Sequence, residues 1–530
     1  MDGSVPVSRR SLRATAARLA MVGLLAGSVL AGPGATSAAQ AASQRYVVVF
    51  AESYALDGSY ALGGDYALNH AYALQLVAAA GGTVASDLSR QIGVMVVDSA
   101  NAQFTALMTS YALVEAVGRD RSFQGVPSAA EMAAAPRADG RGPGGGQGPG
   151  GGGPDETTDP LEGEQWDMAM IRTAQAHAHQ AGWRAVDVGV LDTGIDGLHL
   201  DFDDDGIPGG PTNVDCARGR DFTADNPPAE PSLAAPTGPC VDNNFHGTHV
   251  AGTIAAQTNG VGIVGIAPNV TLVPVKVCDT DGHCYVSDVV DGLTYAADAR
   301  LDVINMSFFV DDETFQSSTE FKCGSDPDQA AFREAVNRAV RYAIKQGVAP
   351  VAALGNSDQD LANPVDEDTG EPIDPECDVV PAETDGVTGT VALGAQSEKS
   401  SYSNYGDGKA DVSAPGGNGT TGDCSRRNMI LSTFPGNTYG CISGTSMASP
   451  HAAGVAALIV SSFGKLGSDG DVRIAPSRVA DLLAATAVDI GLPGYDECFG
   501  HGRVDALRAV TNDSSATYDA SAPFCPEYDE

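Results

Sequence analysis

An alternation of two kinds of segment begins near Glu164 and narrows the folds open to this chain. Short apolar, β-branched runs take turns with longer segments of helical pattern. Strands separated by helices pair through crossover connections, so the alternation predicts an α/β fold with a parallel sheet and helices on both faces. In order, the segments are VDVGVLD, HGTHVAGTIAAQ, TLVPVKV, SDVVDGLTYAADA, LDVINMSFF, QAAFREAVNRAVRYAIKQ, VAPVAALGN and TSMASPHAAGVAALIVSSF. Functional side chains of such sheets gather at the carboxyl ends of the strands.

A smaller α+β region is expected at residues 43–125. RYVVVF and IGVMVVD each predict a strand, and the stretch from Phe104 to Val117 predicts a helix. Between the two strands, Tyr-Ala-Leu recurs four times with a period of six residues, starting at Tyr54. That period does not return to one face of a helix, so we interpret the repeat as a local duplication in a loop.

A glycine-rich stretch separates the two regions. Glycine at the density seen from Arg137 to Glu156 cannot bury enough surface to offset the entropy lost on ordering. We therefore assign residues 126–160 to a flexible linker, residues 161–512 to the main α/β domain and residues 513–530 to a C-terminal tail.

The first 42 residues have the pattern of an export signal. Two arginines, Arg9 and Arg10, precede an apolar run from Leu19 to Leu30, and small residues follow. The run is too short to cross a bilayer, although an uncleaved anchor helix is the alternative. We expect a secreted, extracellular protein, and leave open whether it uses the twin-arginine or the general route.

The charge of the chain excludes some partners. The 530 residues include 30 Lys and Arg and 68 Asp and Glu, which gives a formal net charge of −38. Nucleic acids and anionic membranes attract clustered cations, so we expect neither as a partner. A dispersed, soluble monomer fits this charge.

All ten cysteines lie between Cys216 and Cys525, and their even number in an exported chain predicts disulfides. A zinc cluster is disfavoured because no CxxC pair occurs. Sequence does not fix the connectivity. Pairing of neighbours would close short loops: Cys216–Cys240, Cys278–Cys284, Cys323–Cys377, Cys424–Cys441 and Cys498–Cys525.

Three short motifs carry the residues of a nucleophilic site. GVLDTGID places Asp192 at the end of an apolar strand, NNFHGTHVAGT places His246 at a helix start, and SGTSMASPHAAG places Ser446 at another. An alcohol needs a nearby base to act as a nucleophile, and that base needs an anion to fix its tautomer. Each signal alone is weak, because a strand-end Asp or a Ser before a helix is usually a cap.

Together, VLDTGID, HGTHVAGT and GTSMASPH resemble the signatures of the subtilisin-like serine peptidases, the subtilases, over Gln165 to about Val510. The resemblance implies that Asp192 orients the base, that His246 is the general base and acid, and that Ser446 is the nucleophile of a secreted endopeptidase acting through an acyl-enzyme. It implies no cofactor for catalysis. It also implies that residues 43–125 are a propeptide that inhibits the enzyme until self-processing.

The resemblance extends to an oxyanion donor and a substrate edge. In VAALGNSD, Gly355 and Asn356 match the family's motif, so the Asn356 amide is expected to hold the oxyanion. The stretch from Ser307 through Phe308 and Phe309 stands where relatives usually have Ser-Leu-Gly, at a strand end that pairs with substrate. Neighbours on a strand face opposite sides, so we expect one ring inside and the other at a subsite.

A metal site is a weaker expectation. DFDDDG supplies Asp201, Asp203 and Asp205 with the spacing of the first half of a calcium loop. Thr212 stands where the closing glutamate would be, and solvated acidic loops are common. We therefore expect structural calcium here or elsewhere in the chain, as in many subtilases.

Two other classes of protein compete with this interpretation. An α/β-hydrolase would need G-x-S-x-G and the chain order Ser, Asp, His, whereas here the serine comes last. A catalytically degenerate subtilase that acts as a binding module is the remaining alternative, and the presence of all four catalytic residue types argues against it.

Overall fold

The computed structural model describes residues 43–51, 64–138, 159–223, 238–309, 321–322, 326–365, 370–374, 377–419, 428–522 and 525. The predicted leader, residues 1–42, lies outside these ranges, as does the glycine-rich stretch from residue 139 to 158. The strands are β1 (Gln44–Phe50), β2 (Gly82–Leu88), β3 (Val94–Ser99), β4 (Val114–Arg119), β5 (Ser122–Gln124), β6 (Arg137–Ala138), β7 (Asp187–Asp192), β8 (Arg220–Asp221), β9 (Thr271–Lys276), β10 (His283–Tyr285), β11 (Val303–Met306), β12 (Phe321–Lys322), β13 (Ala349–Ala353), β14 (Asp378–Val379), β15 (Thr388–Leu393), β16 (Val412–Pro415), β17 (Ile430–Phe434), β18 (Thr438–Ile442), β19 (Lys465–Leu466) and β20 (Val472–Arg473). The helices are α1 (Gly64–Ala79), α2 (Phe104–Met108), α3 (Ala129–Ala134), α4 (Trp166–Met170), α5 (Thr173–His177), α6 (His246–Ala255), α7 (Val286–Asp298), α8 (Pro327–Gln346), α9 (Thr445–Phe463), α10 (Pro476–Thr486) and α11 (Ala506–Thr511), with short 3-10 turns at Glu162–Glu164 and Leu200–Phe202.

A seven-stranded sheet organises the larger part of the chain. Its strand order is β16-β15-β13-β11-β7-β9-β8, and neighbouring strands pair in parallel. The predicted α/β fold with a parallel sheet is confirmed. All parallel pairs have their carboxyl ends on one edge, so β7, β11 and β13 deliver the residues that follow them to the same place.

Successive residues of the central strands pack into two different cores. In β11, Ile304 and Met306 join a core formed with α7 and α8, whereas Val303 joins a core formed with α6, α9 and α10. Strand side chains alternate between faces, and both faces are covered by helices, so the strands read as continuous apolar runs. The helix α9 is long and apolar enough to cross a membrane, but 89% of its 18-residue apolar window is buried inside the protein.

A second sheet, in the order β2-β3-β1-β4, forms the core of the N-terminal region. The helix predicted from Phe104 to Val117 is wrong in its second half, because α2 ends at Met108 and β4 begins at Val114. The β-branched Val114 and Val117 are buried against β1, so sheet pairing overrides the local helical pattern. The loop predicted for the Tyr-Ala-Leu repeat is also wrong for its last two copies, which lie in α1.

The N-terminal sheet packs directly on α8, and residues 42–530 form one compact unit. Arg338 of α8 is almost fully buried and donates from Nη1 to the backbone oxygen of Phe50 at 2.8 Å. Its Nη2 donates to Glu115 at 2.8 Å. A Cβ atom at Gly118 would lie 2.7 Å from Phe332, so glycine at this position lets β4 approach the helix.

Three predicted disulfides are present: Cys216–Cys240, Cys278–Cys284 and Cys498–Cys525. Cys377 and Cys441 are also disulfide-bonded. Their predicted partners, Cys323 and Cys424, lie outside the described residues. The bonds close the loops that interrupt the α/β pattern, where little apolar surface is available for packing.

Candidate active site

The carboxyl end of β7 and the first turn of α6 meet at a buried pair of side chains. Asp192 ends β7, His246 begins α6, and both are almost fully buried. Nδ1 of His246 lies 2.9 Å and 3.0 Å from the two carboxylate oxygens of Asp192. A carboxylate in this position fixes the orientation of the imidazole and leaves Nε2 to accept a proton.

Gly247 allows α6 to approach β7 this closely. A Cβ atom at this position would lie 2.1 Å from the backbone oxygen of Gly194 and 3.1 Å from Oδ1 of Asp192. Contacts that short do not occur in proteins, so any other residue would push the helix away from the strand. The HGTH motif therefore sets the distance between helix and strand as well as supplying the imidazole.

Asp242 holds the loop that leads into α6. Its buried carboxylate accepts the backbone N–H groups of Asn244, Phe245 and Thr248 at 2.9 to 3.0 Å, and the hydroxyl of Thr193 at 2.9 Å. Burial raises the pKa of Asp242, which its hydrogen bonds oppose. Sequence reasoning missed this residue, although an acidic side chain ahead of a helix is a usable capping signal.

Ser446 lies in the first turn of α9, beside the end of β11. Its Oγ donates to the backbone oxygen of Ser307 at 3.1 Å, and Oγ of Ser307 donates to the backbone oxygen of Ser446 at 2.9 Å. Within the described residues, Nε2 of His246 has no hydrogen-bond partner. The expected contact between hydroxyl and imidazole is therefore absent in this conformation, because the hydroxyl is engaged with Ser307.

A chain of polar side chains ties α9 to β11 below this contact. Nδ2 of Asn305 donates to Oγ of Ser307 at 2.8 Å, and Oγ of Ser449 donates to Oδ1 of Asn305 at 2.7 Å. All three residues are fully buried, where paired polar groups rigidify the structure. Sequence reasoning missed Asn305 and Ser449. The signal for Ser449 was its position one helical turn after Ser446.

Asn356 lies at the carboxyl edge of the sheet, after β13. Its Oδ1 accepts the backbone N–H and the hydroxyl of Thr445, both at 2.9 Å. Gly355 has φ of +113°, a conformation that favours glycine, and its N–H donates to the Thr445 hydroxyl at 3.3 Å. With Oδ1 fixed by these donors, the Nδ2 group of this exposed side chain can donate to another acceptor near Ser446.

Comparison of the sequence with known proteins identifies a family for the part of the chain that contains these residues. A profile described as "Subtilase family" matches residues 184–502. The chain belongs to the subtilase family. It is 32% identical over 345 residues to a thermostable alkaline protease of Halalkalibacterium halodurans, a match covering 65% of this chain and 73% of that protein. An equal identity over 345 residues relates it to subtilisin DY of Bacillus licheniformis, 98% of which is covered.

Solved structures of subtilase-like proteases share the fold of this subtilase. The epidermin leader peptide processing serine protease of Staphylococcus aureus matches with a TM-score of 0.64 and 20% identity, covering 90% of this chain and all of that one. A lanthipeptide protease matches with a TM-score of 0.51 and 24% identity, covering 66% of this chain and 95% of that one. This subtilase is a serine-type endopeptidase, and the family needs no cofactor for catalysis.

The same motifs contain two further histidines, His249 and His451, which are buried and contact other groups. Burial lowers the pKa of His249 to about 3, and its Nε2 lies 3.1 Å from the backbone oxygen of Ile430. His451 contacts Asp167 through Nε2 at 3.0 Å and the Met447 backbone oxygen through Nδ1 at 2.8 Å. Both histidines therefore connect neighbouring segments through buried side-chain contacts.

The two phenylalanines after β11 differ in exposure. Phe308 is 1% exposed and packs into the core with α7 and α8. Phe309 is partly buried at the rim of the same core. Both rings therefore contact the same core, contrary to the opposite sides expected from strand alternation, because β11 ends at Met306 and the two residues lie beyond the strand.

The three acidic residues of DFDDDG do not converge. One carboxylate oxygen of Asp201 accepts the Ile263 backbone N–H at 3.0 Å, and burial raises the pKa of Asp201 well above its usual range. The Asp205 carboxylate accepts the backbone N–H of Ile207. The backbone of Asp203 pairs with that of Thr212 in an isolated antiparallel β-bridge. No group of three or more His, Cys, Asp or Glu side chains arranged for a metal occurs among the described residues. Structural calcium stays a prediction.

The N-terminal region covers one edge of the cleft. Strand β5 pairs antiparallel with β10, and the N–H groups of Gly125 and Val126 donate to the Gly282 backbone oxygen at 3.1 and 3.3 Å. A Cβ atom at Gly125 would lie 3.3 Å from the backbone oxygen of Phe309. This segment therefore lies between β10 and the strand end that carries Phe309.

The same segment continues across the site to a second edge. Nδ2 of Asn244 donates to the Pro127 backbone oxygen at 2.8 Å, α3 follows, and β6 then pairs antiparallel with β18. The Cys441 N–H donates to the Pro136 backbone oxygen at 3.0 Å. Residues 126–138, assigned to a flexible linker from their sequence, instead hold a helix and a strand, because the cleft supplies backbone partners that composition does not reveal.

Proposed function

We propose that this subtilase is a secreted endopeptidase that hydrolyses peptide bonds of proteins and peptides with the triad Asp192, His246 and Ser446. The observation that carries the proposal is the buried contact between Asp192 and His246 beside the first turn of the helix that holds Ser446. Because a hydrogen bond is stronger in a buried site than in water, this contact holds the imidazole in one tautomer.

The proposed reaction starts when the Ser446 side chain leaves the Ser307 oxygen and rotates toward Nε2 of His246. Oγ of Ser446 attacks the scissile carbonyl carbon while its proton passes to Nε2, and Asp192 stabilises the imidazolium. His246 gives that proton to the leaving amine as the C–N bond breaks, which leaves an acyl-enzyme. A water molecule then repeats the sequence on the ester, with His246 again as the base.

The oxyanion of each tetrahedral intermediate is proposed to be held by Nδ2 of Asn356 and the backbone N–H of Ser446. Two features support this role. The Thr445 donors fix the amide so that its nitrogen is available, and the start of α9 offers unpaired N–H groups together with the positive end of the helix dipole.

The N-terminal region is proposed to be a propeptide that blocks the cleft. Its support is the segment from Ser122 to Ala138, which pairs with β10 on one side of the site and with β18 on the other. Between the two pairings the chain is helical, in α3, rather than extended as a cleavable peptide would be. We therefore propose residues 43–125 as the inhibitor domain, with self-processing as the step that opens the cleft.

The substrate-binding edge is proposed to comprise Ser307, Phe308, Phe309 and Gly355. In the precursor, the segment at Gly125 already lies against Phe309 and β10, and a substrate backbone would take the same place after release. Phe309, at the rim, is the ring proposed to narrow a subsite where relatives have glycine.

Export is proposed from the leader-like residues 1–42 and from the disulfides, which persist in oxidising compartments. A monomer that acts on extracellular protein and peptide substrates is consistent with the net charge of −38.

Labelling with a fluorophosphonate probe tests the nucleophile directly. We expect the probe to label the processed protein at Ser446, and the variant Ser446→Ala to remain an uncut precursor without peptidase activity. Ser462→Ala is the matched control, because this serine lies near the other end of the same helix, donates to the Leu458 backbone oxygen and should leave labelling in place. Normal maturation of Ser446→Ala in a protease-free host would refute self-processing, and unlabelled, inactive wild type would favour the alternative of a degenerate subtilase that acts as a binding module.

A further inference from the structure

The structure contains an aromatic corner, formed by Phe245 and Phe434, that no part of the proposed reaction uses. The two ring centroids are 5.5 Å apart and the rings meet at 69°. Phe245 immediately precedes His246, and Phe434 ends β17. The corner therefore lies beside the catalytic imidazole, on the side of the cleft formed by β17 and β18.

A guanidinium occupies this corner. Cζ of Arg137, from the N-terminal region, lies 4.3 Å from the centroid of Phe434 and 4.9 Å from that of Phe245. Arg137 forms no ion pair among the described residues, and contact with the rings desolvates its guanidinium and lowers its pKa, although the residue as a whole is exposed. In a chain with a net charge of −38, this cation is thus recognised by aromatic faces rather than by carboxylates.

The backbone around the corner is shaped for this contact. Arg137 pairs with Gly440 of β18, and a Cβ atom at Gly440 would lie 2.0 Å from the ring of Phe434. Glycine at this position lets the ring lie across the strand opposite the arginine. Phe245 has φ of +91°, a conformation that costs a non-glycine residue on the order of 1–3 kcal/mol and that clusters at functional sites.

Chain direction assigns the corner to one side of the scissile bond. The N-terminal region meets β10 first, at Ser122–Gln124, and β18 afterwards, at Arg137–Ala138. A substrate that follows the same path places its acyl part on β10 and its leaving-group part on β18. Ser446 follows β18 in the chain after a short connection, which agrees with this order.

We propose that, once the N-terminal segment is released, Phe245, Phe434 and the edge of β18 form a subsite that selects arginine on the leaving-group side of peptide substrates. The proposal rests on the peptidase function proposed above. Arg137 is the occupant of this subsite in the precursor, and a substrate arginine replaces it in the mature enzyme.

Fluorogenic peptides that differ at a single residue test the subsite. The self-processed wild-type enzyme cleaves a parent peptide whose cut bond is located by mass spectrometry. Arginine or citrulline, its uncharged analogue of nearly equal shape, is then placed at each of the residues after that bond. We expect arginine to raise kcat/KM on the order of tenfold at one position, the effect of a cation between two rings.

Two variants connect the preference to the rings. Phe434→Leu and Phe245→Asn remove one ring each, and asparagine tolerates the positive φ at residue 245. Both should reduce the ratio of kcat/KM for arginine over citrulline peptides to less than about threefold, the share of the one remaining ring. Phe463→Leu, at the far end of α9, is the control that should keep the full preference. All rates are compared at 1 M salt, where the screening length is about 3 Å and the general attraction of this acidic protein for cations is suppressed.

The outcomes separate this inference from the proposed function. Equal cleavage of arginine and citrulline peptides at every position would overturn the inference and leave the peptidase function standing. An arginine preference that survives both ring variants would also overturn it. Failure of the wild type to cleave any peptide would overturn the peptidase function, and the subsite with it. If one ring variant fails to fold, the wild-type comparison and the other variant still decide.

Discussion

The Ser446 and Ser307 side chains exchange hydrogen bonds with each other's backbone, so the Ser446 hydroxyl is engaged with Ser307 and not with the imidazole of His246. Sequence motifs predicted Ser446, His246 and Asp192 as site residues because each stands at an element boundary with a recognisable neighbourhood. They could not predict the side-chain orientation of Ser446, which depends on Ser307, a residue distant in sequence. Asp242 and Asn305 were missed for a related reason, since their role comes from partners that only the fold brings near.

Asn356→Ala should lower kcat by about 10²–10³-fold with little change in KM, because its amide is proposed to bind charge that develops in the transition state. Steady-state kinetics of the self-processed enzyme measure both parameters. Asn363→Ala is a matched control, as that side chain bonds to Asp360 at the surface. A larger effect on KM than on kcat would assign Asn356 to ground-state binding instead.

Phe309→Gly should broaden the cleavage preference, because it removes the ring proposed to narrow a subsite and restores the residue common in relatives. Peptide libraries cut by the wild type and the variant provide the comparison. Phe499→Leu is the control, since that ring lies in a separate part of the core and its change should cost stability rather than alter preference. Identical preferences for wild type and Phe309→Gly would end the hypothesis.

At the scale of elements, a long apolar helix was easier to predict than segments whose structure depends on partners elsewhere in the chain. The residues of α9 agree at both ends with the predicted TSMASPHAAGVAALIVSSF segment, because a long apolar helical run has few alternatives. The stretch from Phe104 to Val117 failed because β1 offered a sheet partner to its second half. The structure at residues 126–138 was not predictable from glycine and proline content, since its order comes from strands elsewhere in the chain.

The disulfide Cys278–Cys284 fixes the edge strand β10, and the N–H groups of Val277 and Cys278 donate to the backbone oxygen of Asp192 at 2.9 and 3.2 Å. Replacing both cysteines by serine should raise KM roughly tenfold, because the free edge must be ordered by the substrate. The effect on kcat should be smaller. KM for a peptide that binds along β10 is the measurement.

Removing Cys498–Cys525 is the matched control for that experiment. This bond ties the C-terminal residues back to the chain, far in sequence from the substrate edges. Its loss should lower the free energy of unfolding by about 2–4 kcal/mol without changing KM. If both double variants alter stability alone, the bond at β10 has no part in substrate binding.

At the scale of the whole molecule, the contact between the N-terminal region and α7 contains a titratable group. The buried carboxylate of Asp120 accepts the Ser287 N–H at 3.1 Å and the Ser287 hydroxyl at 2.6 Å. Burial raises the pKa of Asp120 from 3.8 to about 6. The assembled state therefore holds a proton that the released region would lose, so assembly is favoured at low pH and weakens as pH rises between these two values.

We expect the isolated N-terminal region to inhibit the mature enzyme more tightly at pH 5 than at pH 7, by roughly tenfold. Inhibition constants at both pH values measure the effect. Asp120→Asn should remove the difference attributable to this carboxyl, whereas Asp87→Asn removes a carboxylate of the same region that contacts His70 and Ser89 instead of α7. The same pH dependence in Asp120→Asn and in the wild type would assign the effect to another group.

As the propeptide proposed above, the N-terminal region would be a bivalent ligand carried in cis, through its two pairings on β10 and on β18. While α3 joins its two halves, each half holds the other near its site at an effective concentration that reaches the millimolar range for short connections. A single peptide bond cut between the halves ends that advantage at once, without weakening any individual contact. Activation would then replace one ligand with two attachment points by two ligands with one attachment point each. Each half would dissociate at the rate that its own contacts allow.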